Sequence, residues 1–232
     1  MRVLVTGGAG FLGSHLVDRL MRLGKRVVVL DNLTTGRLEN LASWLKNPRF
    51  RFVRGDLLDL DLVLSVVKGC EEVYHLAANP EVRVSSVKPE EHFKQNVEAT
   101  FNLLEAVRRC GGVRLFVFFS SSTVYGEADR IPTPEDYAPL KPISIYGASK
   151  LACEGLITGY AYNYAFKAVI LRLANIVGPR ARHGVVYDFI MKLKANPHRL
   201  EILGDGTQTK SYLYIDDFLD AVLTAVENAE NR

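Results

Sequence analysis

Two tyrosine–lysine pairs with four-residue spacing occur in this sequence: Tyr146 and Lys150 in "SIYGASK", and Tyr137 and Lys141 in "YAPLK". A phenol beside an ammonium on one helix face can act as a general base, because nearby positive charge favours the phenolate. Bringing a tyrosine from a pKa of about 10 to about 7 takes about 4 kcal/mol of differential stabilisation. The spacing alone is common, at about one occurrence in every two chains of this composition. Proline separates the two pairs. Tyr137 and Lys141 flank Pro139 and precede Pro142, and residues before proline leave helical geometry. Tyr146 and Lys150 open a proline-free stretch, so a helix over about 146–164 puts both on one side. "FFSSSTVYG", residues 118–126, adds hydroxyls at the end of an apolar run, where a substrate hydroxyl could be held. Serines at a strand end also serve as turn formers.

A second constellation is "VTGGAGFLG" at 5–13. Gly7, Gly8, Gly10 and Gly13 lie between an apolar strand pattern and an amphipathic helix pattern. Glycine permits the positive φ of a tight turn, and the missing side chains let backbone N–H groups approach a pyrophosphate at a helix N-terminus. Asp31 closes the next strand in "VVVLDN". It is placed to accept hydrogen bonds from ribose hydroxyls and to repel a 2′-phosphate, which favours NAD over NADP; the alternative is a helix-capping aspartate. Asp56 in "RGDLLD" reads either as a contact to the adenine edge or as an N-cap. The small residues of "HLAA", 75–78, suit close approach of backbone to a cofactor or close packing.

Those residues need a scaffold. Short β-branched runs ("RVLV", "RVVVL", "FRFV", "EVYHLAA", "RLFVFFSS", "AVILRL") alternate with helical stretches, the pattern of a doubly wound parallel sheet. Helices are expected over "LENLASWLKN" (38–47), over 88–110 with Phe93, Val97, Phe101, Leu104 and Val107 as a buried stripe, and over "DFLDAVLTAVENAE" (217–230). The texture changes near residue 176, which divides the chain into a dinucleotide-binding domain, 1–176, and a smaller substrate-binding region, 177–232. At 232 residues with a net charge of +3, the chain can bury a full core and offers little to nucleic acid. No zinc-ligand spacing or long apolar run occurs. Cys70, Cys110 and Cys153 are scattered and read as reduced core thiols. Met1 leads straight into a strand pattern, so no signal segment and a cytoplasmic location are expected.

The motifs "TGGAGFLG", "LDN", "GDLLD", "HLAA", "SSSTVYG", "YGASK", "RLANIVGPR" and "GDGTQTKSYLYIDD" together resemble the extended, nucleotide-sugar-modifying branch of the short-chain dehydrogenase/reductases, and most closely its epimerases. The resemblance implies a Rossmann fold with bound NAD. It assigns Tyr146 as base, Lys150 as the residue that orients the nicotinamide ribose and tunes Tyr146, and Ser121, four before Tyr125, as the catalytic hydroxyl, with Ser122 as fallback. It puts Gly7, Gly10, Phe11, Leu12 and Gly13 on the cofactor, with Asp31, Asn32, Asp56 and Leu57, then Leu76, Ala77, Ala78 and Asn96. Ser121, Ser122, Tyr146, Asn175 and Lys210 fall to the substrate.

Two departures accompany the resemblance. Lys210-Ser211 stands where Arg-Asp is common in the family, keeping charge but losing a two-pronged grip on phosphate. Family members also continue past the point where this sequence ends at Arg232, so the substrate region is expected to be partial. Dehydratases of the branch carry an Asp-Glu pair where this chain has Ser122 and Thr123, which argues against dehydration. The implied reaction is 4-epimerisation of a UDP-hexose (UDP-galactose or UDP-glucose) through a transient 4-keto sugar. The alternatives are an epimerase or decarboxylase on another nucleotide sugar, or an NAD-binding module without turnover. The resemblance further implies a homodimer through helices 88–110 and 146–164; Leu151, Gly155 and Gly159 leave room for close helix packing there, and packing within the chain explains them equally well. No nucleic acid, membrane or metal is implied.

Overall fold

The structure is a computed structural model, and it describes residues 1–81 and 86–229. Its centre is a six-stranded parallel sheet in the order β3-β2-β1-β4-β5-β6. The strands are β1 (Arg2–Thr6), β2 (Arg26–Asp31), β3 (Phe50–Arg54), β4 (Glu72–His75), β5 (Leu115–Ser121) and β6 (Lys167–Leu173). Alternate residues feed two cores. Val3, Val5, Val27, Val29, Val117 and Phe119 face α1 (Phe11–Arg22) and α7 (Ile215–Asn228). Leu4, Val28, Leu30, Val73, Phe116 and Phe118 face α2 (Leu60–Val67), α4 (Ala99–Cys110) and α5 (Ile145–Tyr164). Burial on both faces is why these strands read as continuous apolar runs rather than alternating ones. The chain winds outward from β1 to β3, then returns to β4 beside β1. This reversal of strand order opens a crevice at the carboxyl ends of the strands.

The stretch 88–110 is helical but not uniform. A short α3 (Pro89–His92) runs into a π-helical turn at Phe93–Glu98 and then into α4. The wider turn shifts the register, so the expected stripe is not buried as one. Phe93 and Phe101 are 60% and 43% exposed, Val97 is half-buried, and only Leu104 and Val107 enter the core. The buried side is instead His92, Asn96, Thr100, Leu103 and Leu104. Residues 38–47 likewise make only a 3₁₀ turn at Leu38–Leu41 followed by turns. Its polar side chains are committed to other elements: Asn40 Nδ2 donates to the Ala9 carbonyl at 2.8 Å and Trp44 Nε1 to Asp18 at 2.6 Å.

After β6 come β7 (Asn175–Val177), α6 (Val185–Ala195) and β8 (Tyr212–Tyr214), with β7 and β8 paired in parallel. The turn between β7 and α6 is fastened to α1. Arg180 donates to Ser14 Oγ at 3.0 Å and to Asp18 Oδ2 at 2.9 Å, while His15 contacts the Pro179 carbonyl at 2.9 Å. The closing helix α7 begins at Ile215, two residues before the expected start, and its expected last residue, 230, lies outside the described residues. It packs under the sheet, Phe218 meeting Phe119 with ring centroids 6.1 Å apart. Among the described residues no helix is long and apolar enough to cross a membrane.

Candidate active site

A cleft of about 930 Å³ runs along the carboxyl ends of the strands, lined by the glycine turn at one end and by α6 and β8 at the other. The turn is built for close approach. Gly7 has φ +69°, and a Cβ there would lie 2.7 Å from the Ala77 nitrogen, so neither the conformation nor the space admits a side chain. A Cβ on Gly13 would collide with the Gly7 carbonyl, which lets α1 start hard against the turn. α1 has no side-chain cap and no acid in its first turn. Its free N–H groups, at cleft-lining Phe11, Leu12 and Gly13, are the donors that a diphosphate takes up.

Asp31 ends β2 and is not a helix cap. Its Oδ2 accepts from the Ala9 amide at 2.9 Å and its Oδ1 from the Leu33 amide at 2.8 Å, tying the glycine turn to the next loop. Burial pushes its carboxyl above the ordinary value, and those two amides oppose the shift. Asp56 does not cap α2 either, because Asp59 does so, accepting from Leu62 at 3.0 Å. Asp56 lies on the cleft, where Asn32 donates to it at 2.9 Å, with Leu57 beside it. Leu76, Ala77 and Ala78 form the floor. Together the uncapped helix start, the side-chain-free turn and the carboxylate at the end of β2 fit a dinucleotide.

Asn96 lies behind the cleft wall rather than on it. Its side chain is 2% exposed and is absent from the cleft wall. The Oδ1 accepts from the Asn79 amide at 2.7 Å and the Nδ2 donates to Ser149 Oγ at 2.8 Å, so both polar ends are used in joining the 79–81 loop to α5.

At the other side of β5, Tyr146, Lys150 and Ser121 line the cleft together. Ser144 caps α5, accepting from the Gly147 amide at 3.0 Å, which starts the helix so that Tyr146 and Lys150 share one side. Ser122 is exposed, opens a 3₁₀ turn and does not reach the cleft wall, so of the two candidate serines Ser121 is the one at the site. Thr123 donates to Ser121 Oγ from its amide at 3.2 Å and its hydroxyl at 3.0 Å. Ser121 can then direct its own hydrogen toward an oxygen in the cleft.

The protein's own groups act on the Tyr146 phenol in opposite directions. Burial pushes the phenol above its ordinary value, and a hydrogen-bonding contact with Ser121 opposes the rise. Lys150 is itself deeply buried. Its Nζ donates to the Phe119 carbonyl at 2.8 Å and sits 4.7 Å over the Phe118 ring, and burial pushes it down to about 8. Proximity on a helix face is legible in sequence, whereas desolvation depends on what covers the pair.

On the far side, Asn175 and Lys210 line the cleft, and Asn175 Nδ2 donates to the Ser211 carbonyl at 3.1 Å, across the β7–β8 pair. Sequence reasoning missed His183, Tyr187 and Tyr212, which share that wall. It also missed Ser120 and Glu154, joined by a 2.5 Å hydrogen bond beside Lys150. The available signal for Glu154 was its place four residues after Lys150 on the same predicted helix.

A family model for the NAD dependent epimerase/dehydratase family matches residues 3–232. The chain belongs to that family. UDP-glucose 4-epimerase of Mycolicibacterium smegmatis is 40% identical over 231 residues, covering 97% of this chain and 73% of the relative. UDP-glucuronic acid decarboxylase 1 of Arabidopsis thaliana is 35% identical over 234 residues, covering 98% of this chain and 52% of the relative. Among solved structures, a UDP-galactose 4-epimerase is 52% identical, with a TM-score of 0.85, covering 98% of this chain and 72% of that one. UDP-glucuronic acid 4-epimerase from Bacillus cereus, in complex with UDP-glucuronic acid and NAD, is 36% identical with a TM-score of 0.90, covering 100% of this chain and 74% of that one. DesIV, a dTDP-glucose 4,6-dehydratase from Streptomyces venezuelae with NAD and TYD bound, is 32% identical with a TM-score of 0.91, covering 99% and 73%. The Rossmann fold and the NAD dependence of this family member are thereby established, and its relatives span epimerases, decarboxylases and dehydratases.

Proposed function

We propose that this chain catalyses 4-epimerisation of a UDP-hexose, interconverting UDP-galactose and UDP-glucose. The observation that carries the reading is the set Ser121, Tyr146 and Lys150 on one cleft wall, with hydroxyl residues at 122 and 123. Eliminating water from a keto sugar needs a further acid and base. Here Ser122 faces outward and Thr123 is engaged with Ser121, so neither is available for it. NAD⁺, when bound, would supply the reversible hydride-acceptor chemistry that inverting sugar carbon 4 requires.

In this reading Tyr146 removes the proton of the 4-hydroxyl and later restores it to the 4-keto sugar. Ser121 donates a hydrogen bond to that oxygen, and Lys150 stabilises the phenolate while holding the nicotinamide ribose. Gly7, Gly10 and Gly13 with the start of α1 receive the pyrophosphate; Asp31 and Asn32 serve the adenosine ribose, and Asp56 and Leu57 the adenine side. Asn175 and Lys210 contact the substrate diphosphate. Residues 1–176 form the NAD-binding domain and 177–232 the substrate-binding region, with α7 also covering the sheet. The exposed Phe93, Phe101 and Tyr164 on α5 and the helix before it support a homodimer paired through those helices. The three free cysteines suit the reducing cytoplasm.

A second reading has a specific basis. The 35% identity to a UDP-glucuronic acid decarboxylase and the fold match to a UDP-glucuronic acid 4-epimerase combine with Lys210 on the sugar-side wall, a cation that could meet a sugar carboxylate, with His183 on the same wall as a further hydrogen-bonding group. Incubation with NAD⁺ and, separately, UDP-galactose or UDP-glucuronic acid decides the matter. Conversion of UDP-galactose to UDP-glucose without net NADH supports the first reading. Turnover of UDP-glucuronic acid alone supports the second, and NAD⁺ binding with no turnover leaves a binding module.

A further inference from the structure

Consecutive residues of β5 hold residues of α5 that lie one turn apart. The Phe119 carbonyl accepts from Lys150 and Ser120 Oγ donates to Glu154 Oε1 at 2.5 Å, while Ser121 and Tyr146 line the cleft together. Glu154 is buried, and Arg172 of β6, the register partner of Ser120, grips both its oxygens. The guanidinium Nε lies 3.2 Å from each oxygen and Nη2 lies 2.8 Å from Oε2. Arg172 is fixed in turn by the Tyr125 ring, 4.9 Å away, and by the Glu135 carbonyl, to which Nη1 donates at 3.3 Å. Apolar replacement of a buried ion pair is often neutral for stability. Fold stability alone therefore does not explain a carboxylate fixed from two sides, one turn from Lys150.

The surroundings of Lys150 single out that carboxylate. Its own helix presents Tyr146, Cys153 and Glu154; β5 presents the Phe118 ring and the Phe119 carbonyl. β4 presents His75, which burial holds at about 3 and therefore neutral. α4 presents Thr100, bonded to His75, and α3 presents His92, which packs on the Tyr146 ring at 6.1 Å. Arg172 stands behind Glu154. Burial pushes Lys150 down to about 8, while Cys153 and Glu154 act in the opposite direction. The Cys153 thiol is pushed up by burial and so carries no charge near neutrality. That leaves Glu154 as the anion opposing the loss of the ammonium's proton among the described residues.

We propose that Glu154 is a positioning residue for Lys150: clamped by Ser120 and Arg172, its carboxylate keeps the neighbouring ammonium charged beside Tyr146. Its importance for turnover rests on the epimerase reading, but its effect on Lys150 does not. The test is competitive acetylation of the full chain with acetic anhydride across a pH series, following the Lys150 peptide by mass spectrometry. The wild-type midpoint is expected at about 8. In Glu154→Gln the midpoint falls by about one pH unit.

A double variant, Glu154→Gln with Arg172→Met, removes the carboxylate together with the guanidinium that clamps it, and tests the idea even if the single variant fails to fold. The electrostatic role predicts a downward shift in the double variant as well, smaller than in Glu154→Gln because the Arg172 cation leaves with the carboxylate. A purely structural role predicts its return to the wild-type midpoint, and that return, or an unchanged midpoint in Glu154→Gln, overturns the proposal. With UDP-galactose as substrate, the alkaline limb of the rate profile should move in parallel with the labelling midpoint. No turnover by the wild type would remove the epimerase reading and leave the labelling result standing.

Discussion

Lys150 and Phe119 meet across the seam between α5 and β5, the ammonium donating at 2.8 Å to the strand's carbonyl with the Phe118 ring beneath it. A cation held by a backbone oxygen has one fixed position. The strand therefore sets where Lys150 sits relative to Tyr146, one turn earlier on the same helix.

Tyr146→Phe removes the phenolic oxygen and keeps the ring that packs on His92. Turnover of UDP-galactose should fall by about 10²–10⁴-fold, the usual worth of a positioned acid–base group, with NAD⁺ affinity retained. Ser121→Ala should lower kcat without a comparable change in NAD⁺ binding. A Tyr146→Phe protein as active as wild type would remove the acid–base assignment.

Gly7→Ala tests the turn. The new methyl would lie 2.7 Å from the Ala77 nitrogen at a positive φ, a combination that costs about 1–3 kcal/mol in strain. Calorimetry should register a lower Tm, and fluorescence titration should register NAD⁺ binding weakened by more than the loss of stability alone explains.

His75 makes the fold acid-sensitive. It is buried between Thr6 Oγ1 at 2.7 Å and Thr100 Oγ1 at 2.9 Å, and burial holds it at about 3. Between that value and about 6.5, the unfolded chain binds the extra proton. Stability is thus intact above pH 6.5 and is lost as pH falls toward 3, by on the order of 4 kcal/mol from this group. Denaturant titrations from pH 7 to pH 4 should show the slope, and His75→Gln should flatten it.

His92 is fully buried, and neither ring nitrogen has a hydrogen-bond partner among the described residues. An unsatisfied buried polar group costs about 1–3 kcal/mol, and an apolar side chain of similar shape avoids that cost. His92→Phe should therefore raise Tm while keeping an aromatic ring against Tyr146. A lower Tm would show that the nitrogens are satisfied after all.

Much of the site was legible because its signals are local. The glycine spacing needs only a strand before and a helix after it, and proline alone separates Tyr146–Lys150 from Tyr137–Lys141. The errors share a different cause. A 3.6-residue period puts Phe93 and Phe101 in the core because it cannot register a π-helical turn, which forms where the chain packs against α5. The sequence position of Asn96 does not disclose that Asn79 and Ser149 bond its side chain. The direction of the Tyr146 shift depends on burial by segments far away in the chain, and the same is true of Lys150. Ser122 and Ser121 are neighbours in sequence, and only the bend of the chain into its 3₁₀ turn sends one outward.

Arg180 joins the turn between β7 and α6 to Ser14 and Asp18, and Asp18 also receives Trp44 from the loop behind the glycine turn. The helix behind the glycine turn thus shares one bolt with the far wall of the cleft. Any displacement of that wall that carries the β7–α6 turn with it has to break these bonds, so the two ends of the cleft are mechanically linked through Asp18.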